Sequence, residues 1–253
     1  MMKSTVLIFL LLLTSNMLLA QLLIGPKAGI QLATTSFSNR LDYSDSVNSL
    51  FKPGFNLGSV LNLEVNKSFS LQFELNYSLQ GRLIKGVYDQ YLKHKAHDHY
   101  LNLPGLLRYH WSKKRIKYFL NAGPSLSYWL GGSGKISSSS IASNDQEFIK
   151  YSISFKEPQN ESGKVFIQEA NRLQIGVDFG AGVQLPVKRG QKLMLEARYN
   201  LGHSYLGKKF SVQNNIPDYS DNLETSHSII NVSAAYVFSR QLNGWKRGKS
   251  ISN

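Results

Sequence analysis

From about residue 25 onward the long apolar segments of the chain alternate with period two, apolar against polar or glycine. The clearest run places Phe69, Leu71, Phe73, Leu75, Tyr77 and Leu79 on one face and Ser70, Gln72, Glu74, Asn76, Ser78 and Gln80 on the other. Side chains of a strand alternate faces, so the run predicts a strand with one apolar and one wet face. A soluble sandwich shows the same alternation with its apolar face inward. Length separates the two cases. The runs extend about ten to fourteen residues, against about five or six for ordinary strands and about nine to eleven for a strand crossing a bilayer.

Eight such segments are predicted, near Leu23–Ala33, Gly54–Val65, Phe69–Gly81, His99–Trp111, Ile116–Leu130, Arg172–Leu185, Lys192–Gly202 and Ser228–Phe238. The connections alternate in length: 66–68, 112–115 and 186–191 are short, whereas 34–53, 82–98, 131–171 and 203–227 are long. Outer-membrane barrels combine short periplasmic turns with long extracellular loops. The expected fold is all-β, an eight-stranded antiparallel up-and-down transmembrane β-barrel with both termini in the periplasm. Tyr77, Tyr109, Trp111, Tyr118, Tyr128, Trp129, Tyr199 and Tyr236 fall near strand ends and suit interfacial girdles.

The first twenty residues read as a secretory signal peptide. Lys3 supplies the positive region, Val6–Leu13 the apolar one, and Ala20 precedes Gln21, although Leu18 sits where a small residue is preferred. The chain then divides into a signal peptide 1–20, a barrel 21–238 and a basic periplasmic tail 239–253. Cysteine is absent, which excludes disulfides, thiolate metal sites and a lipid-anchored cysteine. The slightly negative mean hydropathy fits strands that each turn one face to a polar lumen.

The 29 basic and 16 acidic residues are unevenly spread. The short turns and tail carry ten basic residues and no acidic ones: Lys67, Lys113, Lys114, Arg115, Lys188, Arg189, Arg240, Lys246, Arg247 and Lys249. This basic rim is expected to meet outer-membrane lipid headgroups or an acidic periplasmic protein. A soluble surface with no partner is the plain alternative. Export argues against nucleic acid, the usual partner of so basic a chain. Within the strands, Glu64, Glu74, Asp178 and Glu196 are expected to pair with Lys27, Arg108, Arg172 and Arg198 inside a barrel just wide enough to be filled by side chains.

Four stretches carry the wording of a known family: Gly25-Pro26-Lys27-Ala28-Gly29-Ile30, Leu71 to Ser78 followed by Gly81, Tyr100-Leu101-Asn102-Leu103-Pro104 with Leu107 and Tyr109, and Asn121-Ala122-Gly123-Pro124. On these the chain resembles the PorT-type outer-membrane β-barrel family of diderm bacteria over about residues 25 to 238. The resemblance implies a membrane barrel. Through the family's namesake, it also implies a place in a type IX protein secretion apparatus, although most members are barrels of unassigned role.

Chemistry-bearing patterns are sparse. His94, His97 and His99 with Asp98 form a histidine-rich run, read as solvated loop because nothing gathers the three on one face. His203-Ser204 and His227-Ser228 should lie at adjacent strand ends near Asp218 or Asp221, but a nucleophile needs a base and an orienting acid in reach, which spacing alone does not supply. No catalytic residue, metal site or cofactor is therefore expected. A monomer with a structural or interaction role leads, ahead of a secretion-apparatus subunit, a small-solute pore or a lipid-modifying enzyme. Phe148–Phe155 and Val165–Ile167, flanking Asn160-Glu161-Ser162-Gly163, predict a hairpin beyond the membrane.

Overall fold

A computed structural model describes residues 21–37, 47–88, 91–142, 147–156, 163–188, 190–208, 212–213 and 223–241. The expected signal peptide, Arg189, Asn160, Asp218, Asp221 and the tail beyond Gln241 lie outside the described residues. In chain order the strands are β1 Gln21–Phe37, β2 Val47–Leu50, β3 Lys52–Glu64, β4 Phe69–Gln80, β5 Leu83–Gly86, β6 Lys93–Lys113 and β7 Ile116–Ser137. There follow a helical turn α1 at Ser139–Ala142, then β8 Ile149–Ser154, β9 Lys164–Ile167, β10 Leu173–Lys188, β11 Gln191–Gly202, β12 Val212–Gln213 and β13 Thr225–Gln241.

Eight of these strands close a ring in the order β1, β3, β4, β6, β7, β10, β11, β13, every pairing antiparallel. The seam joins the first and last described strands, with Gln21 opposite Gln241 and Phe37 opposite Thr225. Closure removes the open edges that would leave backbone groups unpaired in lipid. Gly25 permits the close approach at the seam: a Cβ there would lie 1.9 Å from the Tyr236 carbonyl oxygen. The tight turns need left-handed backbone, taken by Lys114 (φ 58°) between β6 and β7 and by Gly190 (φ 78°) between β10 and β11.

Alternation governs burial as the sequence predicts. Leu75 is 48% exposed on the outer face while its neighbours Glu74 and Asn76 are buried inside, and Ile30, Leu57, Leu107, Leu120, Val177 and Val232 likewise face outward. Phe69, Tyr109, Trp111 and Tyr118 form a ladder near the short-turn end, with successive ring centroids 5.3, 5.8 and 5.9 Å apart. Trp129 departs from the expected girdle. It is 0% exposed, faces inward and stacks on Tyr100. Parity explains this, because Tyr128 and Leu130 on either side of it point out. In single-tryptophan variants, brominated lipid is expected to quench Trp111 strongly and Trp129 hardly at all; equal quenching would mean the faces are misassigned.

The loops expected at 82–98 and 131–171 are strand in part, at 83–86, 93–98, 131–137, 149–154 and 164–167. β6 and β7 run 21 and 22 residues, well beyond the roughly nine to eleven that cross a bilayer. Their outer parts gather the five short strands: β5 pairs with β6 and β2 with β5, while β8 pairs with β7, β9 with β8 and β12 with β9. The expected hairpin at 148–167 is corrected, since β8 and β9 pair in parallel and not as antiparallel arms. The turn signal at 160–163 is compatible with either direction, and only tertiary pairing decides it.

Candidate functional site

The lumen is layered along its axis. Near the short-turn end Leu23, Val60, Met194, Ala235 and Val237 form an apolar layer. Farther out, inward positions of β1, β4, β10 and β11 bring Lys27, Glu74, Asp178, Glu196 and Arg198 together. The Lys27 ammonium donates to both Glu74 oxygens at 2.8 and 3.0 Å and to Glu196 Oε2 at 3.1 Å. Arg198 forks onto Glu74, Nη2 to Oε1 at 2.6 Å and Nη1 to Oε2 at 3.1 Å. It also donates from Nε and Nη2 to Glu196 Oε1 at 2.9 and 2.6 Å. Amides complete the shell: Asn76 donates to Glu74 at 2.8 Å, Gln72 donates to Glu74 as well, and Asn121 donates to Glu196 at 2.8 Å. Ionic hydrogen bonds of this kind are the strong ones, and inside a protein they need every lone pair engaged to offset desolvation.

The expected eight-residue charge network is thus smaller. Glu64 lies apart, at the short-turn end, accepting from Lys117 at 2.9 Å and facing Lys192 at 3.6 Å. Arg108 is buried and, among the described residues, has no carboxylate within 4 Å; its guanidinium lies 3.7 Å over the Phe119 ring and reaches Met194 Sδ at 4.0 Å. Arg172 donates to the Trp129 carbonyl at 3.2 Å and packs over Tyr128 and Phe155, outside the charged layer. The sequence places Gln72 and Asn76 on the wet face but assigns no partner to them, nor to Lys117, Lys192, Asn121 and Asn200. Their inward parity was the available signal.

Of the basic rim, Lys113, Lys114, Arg115 and Lys188 are exposed at the short-turn end, and so is Lys67. Arg240 is placed in β13 opposite Leu22. Arg189, Lys246, Arg247 and Lys249 lie outside the described residues.

Beyond the charged layer lies a polar cavity of about 60 Å³, lined by Asn56, Asn76, Asn102, Ser125, Asp178 and Asn200 among others. A second, of about 20 Å³, shares Ser125, Ser127, Asn200 and Ile229 with it and adds Gln80, Ser204 and His227. A buried cluster of Tyr100, Trp129, Ile167, Leu206 and Leu223 packs at the outer end, where Gln174 donates to the Tyr100 hydroxyl at 3.3 Å. His227 is buried with its ring edge to Tyr100, and Ser204 Oγ accepts from the Ile175 amide at 3.0 Å. Asp218 and Asp221, the expected orienting acids, are outside the described residues.

The histidine run is strand, not solvated loop. His94 is buried against the Tyr151 hydroxyl, whereas His99 turns outward to the Tyr77 hydroxyl at 2.5 Å. Burial first, then Lys52 and Lys95, hold the His97 imidazolium below the usual histidine range. Among the described residues no group of three or more His, Cys, Asp or Glu is placed to hold a metal ion.

Comparison with known proteins agrees with this architecture. No curated protein matches the chain in sequence. Among solved structures, OprG from Pseudomonas aeruginosa is 10% identical, with 88% of this chain and 96% of that one covered and a TM-score of 0.51. Neisserial surface protein A is 17% identical over 86% and 96% of the two chains, TM-score 0.39. The attachment invasion locus protein Ail of Yersinia pestis is 11% identical over 85% and 98%, TM-score 0.38. The similarity to OprG is one of fold. The family model described as outer membrane protein beta-barrel domain matches residues 15–206. By that match the chain belongs to the outer membrane protein beta-barrel domain family, and it resides in the cell outer membrane.

Proposed function

We propose that the chain is a monomeric, non-enzymatic, eight-stranded up-and-down barrel whose short turns face the periplasm and whose raised strands face the exterior, with a structural or interaction role. The observation that carries this reading is the cross-linked layer of Lys27, Glu74, Glu196 and Arg198 across the lumen, which favours a filled barrel over an open channel. The face left for interaction is then the rim, where exposed Lys67, Lys113, Lys114, Arg115 and Lys188 stand just beyond the aromatic ladder. Anionic headgroups or an acidic periplasmic protein suit such a surface. In keeping with the PorT-type resemblance, a docking subunit of a secretion apparatus is the second reading of the same rim.

Two measurements test this. A cysteine replacing Tyr88, which is 83% exposed at the outer end, is expected to label on intact cells, and one replacing Lys113 only after the outer membrane is breached. The reverse pattern would invert the orientation. Replacing Lys113, Lys114, Arg115 and Lys188 with Gln should leave folding intact while weakening binding to anionic vesicles, or losing a partner that co-purifies with the parent. The contact should also fade with salt, because exposed charges are screened beyond about 8 Å at physiological ionic strength. Unchanged binding at low and high salt would reduce the rim to a solubilising surface.

A further inference from the structure

The raised parts of β5, β6, β7 and β8 carry five exposed lysines on one face. Lys95, Lys135 and Lys150 stand directly opposite one another on three neighbouring strands, and Lys85 stands opposite Lys93 one step farther out. Like charges placed directly opposite each other weaken a sheet, so stability gives no reason for these rows. Among the described residues no carboxylate forms an ion pair with any of the five. Asp98, on the same strand as Lys95, turns inward and faces Arg82 at 3.9 Å.

A bulge brings the rows onto one face. Below it the outward positions of β7 are Leu126, Tyr128 and Leu130; above it they are Ser133 and Lys135. The register slips where His99 faces Gly131 and Tyr100 faces Trp129, which leaves Leu130 as the extra residue. Gly131 takes φ 152°, a backbone that residues with a Cβ rarely adopt. Without the slip Lys135 would point inward. With it, Lys135 joins Lys95, whose strand keeps one parity from Leu107 and Leu103 upward. Phe148 then gathers two of the ammonium groups, with Lys135 Nζ 4.3 Å and Lys150 Nζ 5.7 Å from its ring centroid.

Direction and height identify the partner. The rows continue the lipid-facing side of β6, so they look sideways along the membrane surface at the heads of neighbouring lipids. Tyr77, bonded to His99, and Tyr128 are among the outward aromatics of that end, as at a membrane interface. Lys95 lies beyond His99 by about 13 Å along the strand, or about 10 Å along the membrane normal at the tilt usual in barrels. The headgroup zone of an ordinary bilayer is only about 5–8 Å deep on each side. An anion at the height of the rows therefore sits on a taller head, as a phosphate on a saccharide does. Lysine, a compact point charge, suits phosphate.

We propose that Lys85, Lys93, Lys95, Lys135 and Lys150 bind the phosphate groups of a phosphorylated glycolipid in the outer leaflet. Access to that leaflet depends on the orientation proposed above, with the long strands outside, and no rim residue takes part.

The test uses the full chain, folded in detergent and titrated with a fluorescent diphosphorylated glycolipid or with its dephosphorylated form. The parent should bind the phosphorylated form tighter by about tenfold or more, because each lysine adds attraction to an anionic surface. Replacing Lys95, Lys135 and Lys150 with Gln should remove that preference, and replacing them with Arg should keep it. Neutralising Lys113, Lys114, Arg115 and Lys188 should leave it unchanged. Should the Gln variant fail to fold, a salt series on the parent decides instead, and the preference should shrink as salt rises. Equal binding of the two glycolipids, a Gln variant that keeps the preference, or a preference indifferent to salt would overturn the proposal. So would dextran sulfate binding the parent tighter than the glycolipid does, since the patch would then serve a soluble polyanion. Binding in detergent is blind to which end faces out, so its failure is distinct from a reversed labelling at Tyr88, which would overturn the orientation.

Discussion

Replacing Arg198 with methionine is expected to cost about 3–5 kcal/mol of barrel stability, the range for removing one partner of a buried ion pair. The guanidinium contacts three carboxylates, those of Glu74, Glu196 and Asp178; without it Lys27 is left to pair with Glu74 and Glu196, and Asp178 keeps the Asn200 amide. Denaturant unfolding from lipid or detergent measures the loss. The decisive comparison is the double variant Arg198→Met, Glu74→Gln. It returns the layer to its original charge balance, so its cost should fall below the sum of the two single costs by more than about 0.5 kcal/mol, the scatter of independent sites. Simple additivity would mean that the layer is hydrated and its charges are uncoupled.

Replacing Leu75 with arginine is expected to cost about 2–4 kcal/mol, as for a cation placed at the bilayer midplane on the lipid face of a barrel. Leu75 sits in the middle of β4, flanked on the outer face by Phe73 and Tyr77, and opposite Ser59 of β3. The same change at Phe69, at the end of the strand and within the aromatic ladder, should cost about 0–1 kcal/mol, because depth sets the penalty. Folding titrations in which the two variants lose equal stability would place β4 at the wrong depth.

The ring was legible in the sequence because a lipid-facing strand must keep every second residue apolar. Wherever that demand held, at Phe55–Leu63, Phe69–Leu79 or Leu173–Leu185, the faces agree. Where a strand leaves the bilayer the demand lapses. Lys93, Lys95 and His97 occupy the outward positions of β6 above the membrane, and the stretch therefore read as loop. The charged layer was legible only in part. Parity showed which charges point inward, but reach and depth chose the partners. Arg108 and Arg172 have the right sign, yet each lies over an aromatic ring, and Glu64 meets two lysines that the sequence reading had left without a role.

The seam between β1 and β13 bears on how the molecule assembles. Lys27, on the first strand, is joined to Glu196, 169 residues away, and Arg198 to Glu74 across 124. Contacts so distant along a chain require closing long loops before they return any stabilisation, and they slow folding accordingly. Until the last strand docks, β1 and β11 are open margins, and the charges form one wall of an unfinished trough. The charged clasp that joins β11 to β1 and β4 therefore snaps shut late. Interactions formed after the transition state mainly slow unfolding, so the same clasp is expected to act as a lock on the finished barrel, governing how long it lasts more than how fast it forms.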